Sequence, residues 1–222
     1  MVYAARLFYN NENWSRPANV DSNSFNNNGY GVLIESEDEE KYRFGFEEWL
    51  FNEIPQKFNI GFLECYRQFN FATTAEKILL YTRLDNQFFH VGNLYGVEQI
   101  NNEEIEIIKK KLLENNWNSV IQQHFSFLND IRSFEEHSEY QLHWNSNPIV
   151  HSLNNLGFCF NLKYKHSEIF KKEDNVSLTQ LDNENAFFHN WQRLSKRYNV
   201  EKFINGLSNN NELKEYLLEQ MR

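Results

Sequence analysis

Cysteine, proline, glycine and methionine are all scarce in this sequence, which has two Cys, three Pro, eight Gly and two Met among 222 residues. The cysteines, Cys65 and Cys159, each lie in an apolar run, which predicts buried free thiols rather than a disulfide or a metal site. No glycine-rich phosphate loop and no Gly-x-Ser-x-Gly nucleophile motif occurs. The sequence also lacks a charged-then-apolar leader and any apolar run of about eighteen residues, which predicts a cytoplasmic protein without a membrane helix.

The net charge of −9 opposes non-specific binding of nucleic acid, because affinity for phosphate depends on lysine and arginine. The charge is unevenly distributed, however. The segment Glu35 to Glu48 holds seven acidic residues, whereas the sequence around Lys163, Lys165, Lys171 and Lys172 is locally basic. Since a local basic surface can bind phosphate on an acidic protein, the net charge leaves both nucleic acid and a basic protein open as partners.

Several short apolar segments separated by close turns precede segments with helical periodicity. Leu84-Asp85-Asn86 has the chemistry of a hairpin turn, and Asn102 can cap a helix that continues into a second amphipathic stripe from Trp117. We therefore predict an α+β fold, with a bent, mostly antiparallel barrel flanked by helices in residues 1–170. Residues 171–222 are predicted to form a helical extension packed on it.

The residues that could support catalysis do not form a recognisable catalytic pattern. None of the seven histidines has the i, i+4 spacing of a helical zinc site, so no metal and no cofactor is predicted. Glu47 and Glu48 are adjacent, and on a strand they would point to opposite faces and could not share one scissile bond. Glu39-x-Lys41 is too short a pattern to define a nuclease. A metal-dependent nuclease remains an alternative, but a protein without catalytic activity is favoured.

The stretch Phe44 to Asn52 places aromatic side chains beside two carboxylates, and Trp14 adds an indole to a polar, asparagine-rich loop. One interpretation is that these aromatics are ordinary core residues at a strand edge. The other is a binding pocket, in which stacked rings hold a flat base and polar groups recognise its edge. The candidates for that pocket are the aromatic residues Trp14, Tyr30 and Trp49 with the polar residues Asn13, Arg16 and Glu48.

Short motifs along the chain resemble those of a bacterial family of reader domains. In order they are Ala5-Arg6-Leu7-Phe8-Tyr9-Asn10, Trp14-x-x-Pro17, Glu47-Glu48-Trp49-Leu50-Phe51, Leu80-Tyr81-Thr82, Val91-Gly92-Asn93-Leu94 and Asn115-Asn116-Trp117. The sequence is similar over roughly residues 3–170 to the PUA/EVE-like N-terminal domains of modification-dependent, type IV-like restriction systems. It departs from the family pattern because Phe44-Gly45-Phe46, without a histidine, precedes Glu47.

The resemblance implies a pseudo-barrel that flips and inspects a modified DNA base in a restriction or defence setting. Trp14, Trp49 and Tyr30 would then surround the base, Glu48 and Asn13 would recognise its edge, and Arg16, Lys163 and Lys165 would contact phosphate. A nuclease encoded elsewhere, or another protein, would act as the effector. On this interpretation, Trp49→Ala removes selectivity and preserves the fold. The alternative from a different class is an acidic protein-interaction module.

Overall fold

The computed structural model describes residues 1–7, 14, 18–19, 32–36, 41–63, 74–84, 87–124, 131–136, 160–184 and 197–222. The described strands are, in chain order, β1 (Val2–Arg6), β2 (Ala18–Asn19), β3 (Val32–Ser36), β4 (Lys41–Phe44), β5 (Ile60–Gly61), β6 (Ala75–Leu84), β7 (Gln87–Gln99), β8 (Ile131–Glu136), β9 (Leu162–Lys163), β10 (His166–Ile169), β11 (Val176–Ser177) and β12 (Arg197–Asn199). The described α-helices are α1 (Glu53–Lys57), α2 (Asn102–Glu114), α3 (Trp117–His124), α4 (Leu178–Leu181), α5 (Val200–Ile204) and α6 (Glu212–Gln220). Two 3₁₀ helices span Phe46–Phe51 and Lys172–Asp174.

The chain folds into two compact units that are interleaved in sequence. Unit 1 contains residues 1–9, 63–99 and 162–222, and unit 2 contains residues 10–62 and 100–161. The predicted boundary at residue 170 does not coincide with this division. The described part of residues 171–222 contains strands β11 and β12 as well as helices. None of the helices in the described ranges has the length and apolarity needed to cross a bilayer.

Unit 1 is built on an open, mixed sheet. Its strand order begins β12-β1-β6-β7, with β1 parallel to β6 and the other pairs antiparallel. Beyond β7, three short strands lie along its other edge: β11 beside Phe89 and His90, β10 beside Gly92 to Tyr95, and β9 beside Glu98 and Gln99. The predicted β6–β7 hairpin is confirmed, since the two strands pair antiparallel from Ala75 beside Val97 to Leu84 beside Gln87.

A β-bulge in β7 determines which side chains share a face of the unit 1 sheet. Leu80 pairs with Gly92 but Tyr81 pairs with His90, so β7 has one extra residue at this point. The extra residue resets the alternation of side chains, and His90 therefore contacts Asn93 three positions along the strand. Gly92 is required here because a Cβ atom would lie 2.6 Å from the backbone oxygen of Glu168 on β10.

The apolar core of unit 1 lies between this sheet and the C-terminal helices. The sheet contributes Val2, Ala4, Leu79, Tyr81 and Phe88. The helices and the segments next to them contribute Leu178, Val200, Phe203, Ile204, Leu207, Leu213 and Leu217. Burial of these side chains, rather than helix propensity, holds helices as short as α4 and α5 in place.

Unit 2 combines a small sheet with a helical layer. Its described strands form an antiparallel sheet in the order β2-β4-β3-β8, in which β3 pairs with β4 from Val32 beside Phe44 to Glu35 beside Lys41. Helices α2 and α3 occur where the sequence predicts them, although Asn101 rather than Asn102 is the cap. The Asn101 side chain accepts from Glu104 N, and the Glu104 side chain accepts from Asn101 N, which completes a capping box.

The α+β class is thus confirmed, with helices packed beside mostly antiparallel strands. The strands described here do not close into a barrel. The pseudo-barrel implied by the family resemblance therefore stays a prediction.

Candidate functional site

The stretch Glu47-Glu48-Trp49 lies in a 3₁₀ helix of unit 2, not on the strand edge that the sequence suggested. The helix follows Gly45 and ends at Phe51, and the next residue, Asn52, caps α1 by accepting a hydrogen bond from Ile54 N on its side chain. Glu47 and Glu48 are both buried, so the prediction that they point to opposite faces of a strand is wrong. Because a 3₁₀ helix has three residues per turn, Glu48 and Phe51 lie on the same side of it.

Trp49 is a core residue of unit 2 with no exposed surface. Its ring lies edge-on to Trp117 of α3 at 5.0 Å between centroids and tilted against His124 at 4.7 Å. Trp117 in turn packs against Phe160 at 5.4 Å. In this conformation no face of Trp49 is open to a ligand, so direct stacking on Trp49 would require the 3₁₀ helix to move.

Glu48 is bound to a histidine that the sequence did not connect with it. His124 Nε2 lies 2.7 Å from Glu48 Oε2, and the exposed fractions of the two side chains are 4% and 0%. A carboxylate is excluded from the interior unless a charged or hydrogen-bonding partner replaces its water, and His124 is such a partner. The available signal was the helical stripe Trp117, Ile121 and His124, which puts a titratable side chain on the buried face of α3.

Trp14 lies against the same 3₁₀ helix. Its ring stacks on Phe51 with a centroid distance of 4.2 Å and an interplanar angle of 6°. Its backbone has φ = 57°, in the left-handed region that bulky L-residues rarely adopt. Trp14 and the helix that carries Trp49 therefore belong to one aromatic cluster, as the pocket hypothesis requires, but both indoles are buried.

The indole of Trp117 supplies a buried polar group to this cluster. The Trp117 indole N–H is buried, and none of the described residues accepts a hydrogen bond from it. A buried donor without an acceptor costs about 1–3 kcal/mol, and in native proteins it usually has an explanation in water, ligand or strain. The Trp117 N–H is thus a donor to which a ligand or a water molecule could bind.

The other predicted site residues lie either outside the described residues or in unit 1. Asn13, Arg16 and Tyr30 lie outside the described residues. Lys163 and Lys165 belong to unit 1. Lys163 Nζ lies 3.4 Å from Glu98 Oε2, and the methylene chain of Lys165 lies over Gly96, which has φ = 58°.

Unit 1 contains a polar array that the sequence analysis missed. It runs from the exposed Glu168 through the buried Asn93 to the buried His90, with Lys77 and Tyr216 beside it. Burial lowers the pKa of His90 from 6.5 to about 4, although Asn93, Gly92 and Glu168 favour its charged form. The hydrogen bond from Asn93, followed by that from Tyr95 and the charge of Lys77, lowers the pKa of Glu168. A polar residue every few positions in β7 was the only local signal, because the partners lie far away in sequence.

No group of three or more His, Cys, Asp or Glu side chains within the described ranges could hold a metal ion. Comparison with known proteins adds no assignment: no protein-family model matches the sequence, and neither a curated protein nor a solved structure matches it significantly.

Proposed function

We propose that unit 2 recognises a base in nucleic acid, specifically a modified base in DNA, and that the chain has no catalytic activity of its own. The observation that supports this proposal most directly is the coplanar stack of Trp14 on Phe51, with Trp14 held at positive φ. A residue held in a sparsely populated backbone conformation lowers the stability of the fold by about 1–3 kcal/mol, and such residues cluster at ligand sites and switches. The PUA/EVE-like pseudo-barrel and the defence setting are part of the proposal and rest on the sequence motifs.

Trp14 is the residue that we propose to contact the base. A parallel stack of two rings at 4.2 Å has the geometry in which proteins hold a flat base, and each such contact contributes about 1–3 kcal/mol. Because Trp14 is only 8% exposed, a base would enter by displacing one ring from the other. Release of the left-handed conformation would offset part of the cost of separating Trp14 from Phe51.

In this conformation the site is stabilised by contacts among Glu48, Trp49 and His124. The Glu48–His124 hydrogen bond links the 3₁₀ helix to α3, and Trp49 fills the space between them. Phe51 is on the same 3₁₀ helix, so its position depends on these contacts. Recognition of the base edge by Glu48 would require exchange of His124 for the exocyclic amine of the base, which stays a prediction.

The proposal is tested by measuring binding of the whole chain to matched DNA duplexes by fluorescence polarisation. The duplexes are unmodified or carry methylcytosine, hydroxymethylcytosine or methyladenine. We expect one modified duplex to bind at least about tenfold more tightly, and Trp14→Ala to remove most of that difference, because a lost stack of 1–3 kcal/mol corresponds to about five- to 150-fold in affinity.

Two controls separate the roles of stacking and fold. Trp14→Phe keeps an aromatic face and should retain part of the selectivity. Ile107→Ala changes a side chain of α2 that is 58% exposed and should bind as the wild type does. Unchanged selectivity in a folded Trp14→Ala variant would contradict the role of Trp14. No binding to any duplex at low salt would favour the protein-interaction alternative.

A further inference from the structure

The sheet face beneath α6 is divided into an apolar half and a polar half. Leu79, Tyr81 and Phe88 belong to the same buried core of unit 1 as Leu213 and Leu217 of α6. Next to them on the same sheet, polar side chains of β6, β7 and β10 form a cluster that contacts Tyr216 and Gln220 of α6. These contacts involve Lys77, His90, Asn93, Tyr95, Glu168, Tyr216 and Gln220.

The hydrogen bonds of His90 define its tautomer. His90 Nε2 lies 2.9 Å from the backbone oxygen of Gly92 and 3.0 Å from Asn93 Oδ1, so Nε2 carries the hydrogen and donates. Nδ1 of the neutral ring is then an acceptor, and the hydroxyl of Tyr216 on α6 donates to it at 2.5 Å. In this arrangement the contact between the sheet and the middle of α6 is made by an uncharged His90.

The last turn of α6 is held by the same array. Lys77 Nζ donates to the backbone oxygen of Gln220. Its positive charge also interacts favourably with the negative, C-terminal end of the helix dipole. Asn93 Nδ2 donates to Gln220 Oε1 at 3.4 Å and to Glu168 Oε2 at 3.2 Å. Tyr95 lies under Lys77 at 4.9 Å and donates its hydroxyl hydrogen to Glu168 at 3.1 Å.

We propose that this array is an acid-sensitive latch, which holds α6 on the sheet while His90 is neutral and releases the helix when His90 is protonated. Protonation places a charge among buried groups and converts Nδ1 from an acceptor to a donor, so the Tyr216 hydroxyl loses its acceptor. The charged and titratable groups that face His90 are Lys77 from β6, Glu168 from β10 and Tyr216 from α6, with Glu219 of α6 near Tyr216.

The charges near His90 shift its pKa in opposite directions, so burial determines the direction of the net shift. Lys77 disfavours a charged His90 and Glu168 favours it, but the largest effect on its pKa is desolvation. Burial also raises the pKa of Tyr216 to about 12, with Glu168 and Glu219 contributing, so its hydroxyl remains a donor throughout the acid range. The hydrogen bond from Asn93, with smaller contributions from Tyr95 and Lys77, lowers the pKa of the Glu168 carboxyl and so favours its ionised form.

The latch is tested by hydrogen exchange of the whole chain, followed by mass spectrometry at pH 7 and pH 4.5 and corrected for intrinsic exchange rates. We expect protection of peptides from α6 to fall by about tenfold or more at pH 4.5. Protection of α3, which belongs to unit 2, should change less. His90→Gln cannot titrate, so α6 in this variant should show the same protection at both pH values.

His166→Gln is the matched control, because His166 is an exposed histidine of the same sheet that stacks on Tyr95 at 5.5 Å. This variant should respond to pH as the wild type does. Constant α6 protection in the wild type would overturn the latch. So would an equal loss of protection in the His90→Gln variant, or loss of protection throughout unit 1 at the same pH.

Discussion

Replacement of Trp49 by alanine should strongly destabilise unit 2 rather than simply remove a ligand contact. The ring is fully buried and contacts Trp117 at 5.0 Å and His124 at 4.7 Å. Truncation of a buried tryptophan costs about 3–5 kcal/mol, most of it from lost burial and the cavity that remains. Since a typical domain is stable by about 5–15 kcal/mol, the loss of Trp49 would consume a large part of the stability of this unit.

The assay is chemical unfolding in urea, monitored by circular dichroism and by tryptophan fluorescence. Using both signals matters because a chain with two units need not unfold in one transition. Trp49→Ala should lower the free energy of unfolding by about 3–5 kcal/mol in the transition reported by unit 2. Leu218→Ala, at a position of α6 that is 43% exposed, should change it by less than about 0.5 kcal/mol.

A cost below about 1 kcal/mol for Trp49→Ala would refute the assignment of Trp49 to the core. The expected result also affects the interpretation of binding experiments. The sequence alone suggested that Trp49→Ala would preserve the fold, whereas burial indicates that lost binding in this variant would reflect lost structure. Trp14 is therefore the better residue for testing base recognition.

Further predictions concern the backbone, a helix cap and pH. Gly92→Ala should destabilise unit 1 by about 1–3 kcal/mol in urea unfolding, because the new Cβ would lie 2.6 Å from the Glu168 oxygen; a neutral effect would mean that β10 moves freely. Asn101→Ala should cost about 1 kcal/mol in thermal unfolding, since it removes the cap of α2, and Asn101→Ser should recover most of it. Stability should also fall on acidification from pH 6.5 towards pH 4: the unfolded chain binds a proton at His90 with a pKa of 6.5, whereas the folded chain does so at about 4. Full protonation of His90 should lower the free energy of unfolding by about 3 kcal/mol. The free energies of unfolding of the wild type and of His90→Gln should therefore depend differently on pH over this interval.

Local sequence signals predicted much of the fold. The β6–β7 hairpin follows from turn chemistry at Asp85-Asn86, and α2 and α3 follow from apolar spacing and an asparagine cap. The 3₁₀ helix at Phe46–Phe51 was not predicted, because its aromatic residues favour a strand and its geometry depends on burial against α3. The division into two interleaved units could not be predicted from local sequence patterns either, because it depends on contacts between segments that are distant in the chain.

The candidate site was predictable in composition but not in geometry. The sequence singled out Trp14, Glu48 and Trp49, and the structure places them in or against one aromatic cluster of unit 2. The apolar stripe of α3 places His124 on a buried face, but nothing in the sequence connects it with the Glu48 carboxylate 76 residues earlier. The array around His90 was missed for the same reason, since Tyr216 lies 126 residues further along the chain.

Competition between a modified and an unmodified DNA duplex for the wild-type chain tests the central claim most directly. A labelled modified duplex is displaced by each unlabelled duplex at two salt concentrations. Recognition of a modified base predicts that the modified competitor displaces the probe at a concentration at least about tenfold lower. The same preference should persist at the higher salt, where phosphate contacts weaken. Equal displacement by both duplexes, or no binding of any modified duplex at low salt, would contradict base recognition by this protein.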